Sequence, residues 1–588
     1  MRQPPRPPNR RRRGHCRPGP PQPLARRRPG GRGRWPRPPR AARLPTATVA
    51  LALVLAAGCT GGGSGERPRP APATTPGVGG TLAIALLDPG SLDPARAAGL
   101  EDQVLVGNLF DGLTTLDAAG TVRPAVAASW TSDAALRRWE FRLRPEARWA
   151  DGTPVQAEDF TFAWERLADP RLEPRPSPSA SLLAPVAGYR EVAAGKARSI
   201  RGLQAPNPTT LVVELERPLA ELPALVASTG LSPLPRALVT RDQAGYLAAP
   251  VGNGPFRLAG RYRRGRTLTL ERNRGYGGPP ARLDEVSVHL VPDEQTAWLE
   301  LQHGRVAFAP VPLDQVAAAR AVHGDSADGH SRPGLLQGPT LATWELGFGL
   351  RAGPASDPSW RQAFSLAVDR QGIADALAGA AAPATGLVPP GLPSAVGGGA
   401  APAGPAACAA CVHDPVRAKA LFAKVKGGRG PVSLRVPAGG IDARIAALIA
   451  DDLAAAGVKL QVTVNDDPQA APVAGGGRVA AYPAMDAVLQ RFSSRAATAG
   501  GPGATGGSGG PTGFADPAVD RLLDQAAATA DGPARAGLYR QAEAAVLAGL
   551  PVAPILDLRH AAVLAPGVEG FDLTPWGAVD LAAVTLPG

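Results

Sequence analysis

Cys408-Ala-Ala-Cys411, followed by Val412-His413, has the spacing that serves a metal, a redox couple or a short disulfide. A closed zinc site needs four ligands, and the chain has no second cysteine pair to supply them. Attachment of a c-type haem needs histidine directly after the second cysteine, and Val412 intervenes. A disulfide in an Ala/Gly/Pro-rich loop is therefore expected, provided the protein is exported to an oxidising compartment. Gly506-Gly-Ser508-Gly-Gly510 has the form of a nucleophile elbow, and Gly501-Pro-Gly503-Ala-Thr-Gly506 that of a dinucleotide-binding turn. Both lie in one low-complexity stretch, 499–513, with no apolar strand beside them to hold a strained turn, so composition explains them. The histidines include no HExxH and no pair one helical turn apart, and there is no phosphate-binding loop. Asp451-Asp452 and Asp466-Asp467 read as solvated faces rather than a catalytic pair. The expectation is a protein without catalytic residues, metal or cofactor.

The charge of the chain points the same way. Of 588 residues, 63 are Lys or Arg and 50 are Asp or Glu, for a formal charge of +13. Fifteen of the arginines fall in residues 1–43, which hold no Lys, Asp or Glu. Taking those fifteen away leaves 48 basic against 50 acidic side chains, so the body carries no excess of positive charge with which to neutralise phosphates. A nucleic-acid partner is not expected. The roughly 530 residues beyond the leader exceed what one hydrophobic core usually supports, so two or more lobes are expected.

Residues 44–58 form an uncharged apolar run behind the arginine-rich stretch, too short for the roughly 20 residues of a spanning helix and suited to a signal peptide. The run ends in Leu55-Ala56-Ala57-Gly58-Cys59, which resembles a bacterial lipobox with Ala56 where a large apolar residue is usual. The resemblance implies that Cys59 is lipidated and becomes the mature N-terminus. Gly61-Gly62-Gly63-Ser64-Gly65 and the Pro-rich residues after it then act as a tether.

Behind the tether the periodicity alternates between strand and helix. Val432-Ser-Leu434-Arg-Val436 and Leu460-Gln-Val462-Thr-Val464 alternate as strands do. Between them Ile445, Leu448, Ile449 and Leu453 recur at helical spacing before Gly457. Strand, helix and strand in succession imply a right-handed parallel crossover. Further helices are expected over 359–378, with Gly379 as the stop, from Asp516-Pro517 onward, and over 534–547. Trp139-Glu-Phe141-Arg-Leu143 and Thr267-Leu-Thr-Leu270 suggest paired short strands. The class is mixed α/β.

Several blocks occur in a characteristic order: Gly79-Gly80-Thr81-Leu82, Asp88-Pro89-Gly90-Ser91-Leu92-Asp93-Pro94, Asn108-Leu109-Phe110-Asp111-Gly112-Leu113, and Trp149-Ala-Asp151-Gly152-Thr153-Pro154. Gly252-Asn253-Gly254-Pro255-Phe256, Arg361-Gln362-Ala363-Phe364 through Asp369-Arg370, and Leu538-Tyr539-Arg540-Gln541-Ala542-Glu543 follow. Together they resemble the family 5 solute-binding proteins of ABC importers, the oligopeptide- and dipeptide-binding group. The resemblance implies a two-lobed fold of the periplasmic-binding-protein type (type II, cluster C), with crossing strands between the lobes and an extra domain inserted in the first. Carried onto this chain it gives a signal peptide at 1–58, a tether at 59–78, lobe I at 79–112, 203–300 and 501–588, the insert at 113–202, and lobe II at 301–500. It also implies a lipid-anchored monomer on the outer face of the cell membrane that captures a peptide or similar solute for permease and ATPase subunits. The alternatives are a sensor or scaffold that has kept the fold, or a binder of a sugar, metal chelate or other non-peptide solute.

One departure bears on the ligand. Peptide-binding members carry a segment similar to Ala-Asp-Tyr-Pro-Asp-Pro whose first aspartate pairs with the peptide ammonium. Here the stretch is Ala480-Ala481-Tyr482-Pro483-Ala484-Met485-Asp486, so that carboxylate is missing at Ala481. Either Asp486 or Glu101 supplies the charge from another angle, or the ligand is not held by an ammonium. Leu100, Tyr482 and Met485 are the apolar lining expected beside these acids, and Trp576 a stacking wall.

Overall fold

The computed structural model describes residues 76–77, 79–97, 99–172, 177–351, 353–392, 408–425, 428, 430–437, 440–464, 473–495 and 513–587. Cys59, the apolar run 44–58, Asp466-Asp467 and the glycine motifs at 501–510 lie outside the described residues. Among the described residues no helix is long and apolar enough to cross a membrane.

Thr81–Leu87 is a nearly uninterrupted apolar strand, the pattern of a strand covered on both faces. It lies at the centre of a seven-stranded sheet, parallel to Glu285–Val291 on one side and Phe308–Pro310 on the other. Leu268–Arg272 and Phe256–Ala259 extend one edge antiparallel, and Ala562–Leu564 and Gly334–Leu336 extend the other. Alternation sends Leu82, Ile84 and Leu86 into one core, and Ala85 into another that it shares with Val291, Trp298 and Leu301. The helix Glu294–Gln302 supplies Trp298 and Leu301. This sheet is lobe I.

The insert is a four-stranded sheet in the order Ala127–Ser132, Arg138–Leu143, Thr210–Glu214, Leu203–Asn207. The helix Ala157–Ala168 places Phe160, Trp164 and Leu167 at helical spacing and buries all three. Asp159 caps its start by accepting the Gln156 N–H at 2.9 Å, and Trp164 Nε1 donates to the Leu231 carbonyl at 2.8 Å. Gly152 turns with φ +89° after Asp151, as the Asp-Gly pair predicts. The insert and one face of lobe I share a single core.

Lobe II is a six-stranded sheet in the order Ala381–Pro383, Val552–Arg559, Pro339–Phe348, Val473–Val479, Val432–Val436, Leu460–Val464. The predicted crossover is present: Val432–Val436 and Leu460–Val464 run parallel, and the helix Gly440–Ala455 between them buries Ile445, Ile449 and Leu453. The single helix expected over 359–378 is instead two, Pro358–Ala367 and Arg370–Ala376. Asp369 breaks it, because its carboxylate accepts the Gly372 N–H at 3.0 Å and caps the second helix. Arg361 and Arg370 then serve the fold rather than a ligand. Arg361 donates to the Leu550, Ala355 and Gly549 carbonyls at 2.7–3.0 Å, and Arg370 Nε to that of Pro554 at 2.9 Å. Burial pushes Arg370 down to about 10. The strands expected at 139–143 and 267–270 form, but in different sheets.

Among the described residues two stretches of chain connect the lobe I sheet with the lobe II sheet: Gln337-Gly338 after Leu336, and His560-Ala561 after Arg559. They run antiparallel side by side, with Leu336 opposite Ala562 on one flank and Pro339 opposite Arg559 on the other. Between those pairs the His560 N–H donates to the Gly338 carbonyl at 2.9 Å, and Arg559 Nε to that of Gln337 at 2.7 Å. This ribbon corrects three of the expected boundaries. Residues 203–214 belong to the insert sheet, because Thr210–Glu214 pairs with Arg138–Leu143. Phe308–Pro310 and Gly334–Leu336 belong to lobe I, since both pair with Ala562–Leu564. The helices Pro517–Ala527 and Gly532–Gly549 pack Val519, Leu523, Ala542 and Val546 into the lobe II core, which Val552–Arg559 then joins as a strand. The change of lobe comes where Gly338-Pro339 interrupts the strand pattern, a punctuation the expected boundaries passed over.

Candidate functional site

In open α/β sheets ligands bind beyond the carboxyl ends of parallel strands. In lobe I those ends are Leu87 and Val291. Two carboxylates stand close to each other in this region, Glu294 just after Glu285–Val291 and Glu101 at the start of the helix Leu100–Leu109. Glu101 accepts its own backbone N–H at the helix start. Asp102 accepts the Gly99 N–H at 2.8 Å and Asp293 the Thr296 N–H at 2.8 Å, so the caps are filled by neighbours. Burial pushes Glu101 above its usual range, and the like charges of Asp102 and Glu294 push the same way. Burial raises Glu294 as well. Among the described residues no cation pairs with either.

The turn that carries Trp576 approaches Leu100. The turn 574–577 closes with the Gly577 N–H on the Thr574 carbonyl at 2.9 Å, and Gly577 has φ +84°. A Cβ at Gly577 would lie 3.0 Å from Leu100 Cδ1, so glycine permits the contact twice over, by its backbone and by its size. Leu100 packs on the lobe I core and Trp576 on the lobe II core, which sets this turn across the boundary between the lobes. The Pro575 carbonyl accepts the Leu341 N–H at 3.1 Å. His560 Nε2 lies 3.1 Å from the Thr574 carbonyl; burial lowers its pKa to about 4, so the ring is neutral and carries its proton on Nε2.

The lobe II side is a strand edge. Val473–Val479 pairs with Pro339–Phe348 along its whole length but with Val432–Val436 only through Val473 and Ala474. From Gly475 onward no strand among the described residues covers the other edge. The Ala480 N–H donates to the Leu341 carbonyl, so alternation turns the backbone groups of Gly477 and Val479 toward the open edge. Asp442 takes the Gly477 N–H there and also accepts Trp344 Nε1 at 2.6 Å. Val479 is 72 % exposed. An extended chain laid along this edge could pair with the backbone of Val479, and at Gly477 it would have to displace the Asp442 carboxylate. A Cβ at Gly475 would itself fall 2.5 Å from the Trp344 ring.

Asp486 is a correction. The sequence offers it as the leading candidate for an ammonium partner, but the structure buries it with both oxygens taken: Tyr482 Oη donates to Oδ2 at 2.7 Å, and Tyr539 Oη lies 3.1 Å from Oδ1. An ammonium could reach it only by displacing a tyrosine. Tyr482 likewise has its hydroxyl committed and its ring in the lobe I core, and Met485 packs half-buried on the lobe II core. Glu221, Tyr539 and Glu294 were not foreseen. Tyr539 and Glu221 meet across 318 positions of sequence, a contact that no local pattern announces. Cys408 and Cys411 are joined, with Sγ–Sγ at 2.16 Å and Cα atoms 5.2 Å apart, and Cys408 sits in the lobe II core.

The sequence profile of bacterial extracellular solute-binding proteins, family 5 Middle, matches residues 121–500. Among curated relatives, the probable deoxycholate-binding periplasmic protein YgiS of Escherichia coli K12 is 32% identical over 310 residues, 52% of this chain and 56% of that protein. The periplasmic murein peptide-binding protein MppA of the same organism is 31% identical over 304 residues, 48% of this chain and 52% of its own length. In both, the matched stretch spans about half the length of the relative. The dipeptide-binding protein DppE of Bacillus subtilis is 25% identical over 516 residues, 84% of this chain and 89% of that protein. In structure, the unliganded open form of MppA superposes with a TM-score of 0.69 at 24% identity, covering 88% of this chain and 99% of that one, which shows the fold.

Proposed function

The chain belongs to the bacterial extracellular solute-binding proteins of family 5, and on that premise we propose that it captures a peptide or peptide-like solute between lobes I and II for delivery to an ABC permease and its ATPase. The observation that carries this reading is the pairing of features across the lobe boundary. Lobe II offers the strand Val473–Val479, whose outer edge Val432–Val436 covers only at Val473 and Ala474 among the described residues. Lobe I offers Glu101, half-buried, and Glu294, more exposed, with no cation beside either among the described residues. Backbone pairing along the edge and a carboxylate for the ammonium are what an extended peptide with a free N-terminus requires. Leu100 and Trp576 supply apolar lining beside them. Glu101 thus takes the role left vacant by Ala481.

A lobe pair joined by two strands is built to hinge, so binding should be coupled to closure. Peptide at a hundredfold excess over Kd stabilises the native state by about 2.7 kcal/mol. The melting temperature should rise and the radius of gyration in solution scattering should fall together. A rise without compaction would oppose closure.

Export and anchoring belong to the same reading. Lipidation at Cys59 would hold the mature protein on the outer face of the membrane, and Cys59→Ser should release it into the medium. Unchanged membrane retention of that variant would remove the lipid anchor.

A non-peptide solute is the second reading. It is favoured by the loss of a carboxylate at Ala481 and by a relative named for binding deoxycholate.

A further inference from the structure

Glu221 belongs to lobe I, where its neighbours Leu219, Leu222 and Leu225 enter the core. Its carboxyl reaches across to lobe II. Oε2 lies 3.0 Å from Tyr539 Oη, Oε1 lies 3.6 Å from Arg535 Nε, and the carboxyl accepts the Asp486 N–H. Tyr539 Oη is also 3.1 Å from Asp486 Oδ1, and Tyr482 Oη donates to Asp486 Oδ2 at 2.7 Å. Glu221, Asp486 and Tyr539 are each at most 4% exposed and Tyr482 6% exposed, so water does not make up missing contacts. The Ala220 N–H, donating to the Ala527 carbonyl at 2.9 Å, ties the two lobes beside this cluster.

Counting protons shows what the cluster lacks. Tyr539 has one hydroxyl proton and faces two carboxyl oxygens at hydrogen-bond distance. It can donate to one of them. The other contact is then oxygen against oxygen unless that carboxyl carries a proton of its own. A proton on Glu221 completes the chain: Glu221 donates to Tyr539 Oη, Tyr539 donates to Asp486 Oδ1, and Tyr482 donates to Asp486 Oδ2.

We propose that Glu221, Tyr539, Asp486 and Tyr482 form a clasp between the two lobes that closes around one shared proton and gives it up to solvent when the lobes part. Parting the lobes separates Glu221 from Asp486 and Tyr539 and wets it. Its carboxylic O–H then ionises, the proton passing to bulk buffer and the electron pair staying on the carboxylate. Closing reverses the step. The groups facing Glu221 are Asp486 from one helix and Tyr539 and Arg535 from another, with Tyr482 ahead of Asp486 and Arg217 on its own segment acting on that tyrosine. Burial and the Asp486 charge raise the Glu221 pKa well above the ordinary glutamate range, against the opposing pull of Arg535. Both tyrosines stay protonated far above that, held by burial and by Asp486. The sign follows: the clasp stabilises the closed form fully below the ordinary glutamate range, and that contribution is lost as pH rises through the folded value.

The test uses ligand-free protein, so it is independent of what the cleft binds. Solution scattering of the wild type from about pH 4 to about pH 9.5 should show the radius of gyration rising with pH. Glu221→Gln keeps a donor toward Tyr539 and an acceptor for the Asp486 N–H, and cannot ionise; it should stay compact throughout. Asp557 and Asp111, raised by burial to about 7 and 6, also titrate, so the difference between wild type and variant is read. Asp486→Asn provides a second arm. It removes the like charge and narrows the gap between the open and closed pKa values, so the rise should shrink. Identical profiles for wild type and Glu221→Gln, or an undiminished rise in Asp486→Asn, would overturn the clasp. If Glu221→Gln fails to fold, the Asp486→Asn profile decides alone.

Discussion

Glu101→Gln should weaken binding of a free-amine peptide by about 30- to 150-fold and leave binding of its N-acetylated form unchanged. Removing one partner of a desolvated charge pair costs about 2–5 kcal/mol, and Glu101 is only half-buried, which places it toward the lower part of that range. The specificity of the effect matters more than its size. Asp486→Asn should leave the preference for a free amine intact, because both Asp486 oxygens already face tyrosine hydroxyls. Ala481→Asp should strengthen the preference by restoring a carboxylate just beyond the strand Val473–Val479. The pH dependence has a definite sign. Burial, Asp102 and Glu294 raise the Glu101 pKa in the empty site, and an ammonium would bring it down again. Affinity for a free-amine peptide should therefore rise as pH rises through the empty-site value, and the acetylated peptide should show no such slope. Should acetylation make no difference to the wild type, the ammonium reading falls and the solute is of another class.

What the sequence reveals and conceals follows the range of the interactions involved. The crossover around residues 440–455 is legible because Ile445, Ile449 and Leu453 declare a helix face and alternating strands flank it. The buried arginines of the Arg361 to Arg370 block occur in order, but their partners, the carbonyls of Leu550 and Pro554, are nearly two hundred residues away. Lobe boundaries fail for the same reason. Pairing with Ala562–Leu564 decides where Phe308–Pro310 and Gly334–Leu336 belong, and no local pattern encodes that pairing. The candidate site is mixed. Leu100 and the turn carrying Trp576 meet at the lobe boundary, whereas Asp486 looks available in sequence because its caps, Tyr539 and Glu221, are remote. An acid beside apolar residues reads alike whether its partner is a ligand or a distant tyrosine.

Glu345 offers the largest stability effect, and its surroundings explain why. It lies on the central strand Pro339–Phe348, fully buried, and its carboxylate receives Arg491 Nη2 at 2.7 Å with Arg478 Nε at 3.5 Å. The strand register slips between Trp344 and Glu345, where Pro554 stands opposite Glu345. Proline has no N–H to give a ladder, and a bulge is where a central strand tolerates one. Arg491 is also held over the Phe492 ring at 4.6 Å, so its guanidinium cannot readily swing out to water. Glu345→Leu would leave that guanidinium desolvated without its carboxylate. Breaking a buried pair from one side costs about 3–5 kcal/mol, and the quarter exposure of the Arg491 side chain puts the expected loss near 3 kcal/mol. Removing both charges costs less than removing one, so Glu345→Leu combined with Arg491→Met should recover part of the loss rather than add to it. Urea unfolding of the three variants measures this directly. If the double variant is destabilised by the sum of the single ones, the two side chains are not acting as a pair, and Glu345 must be held chiefly by Arg478 and the backbone around the bulge.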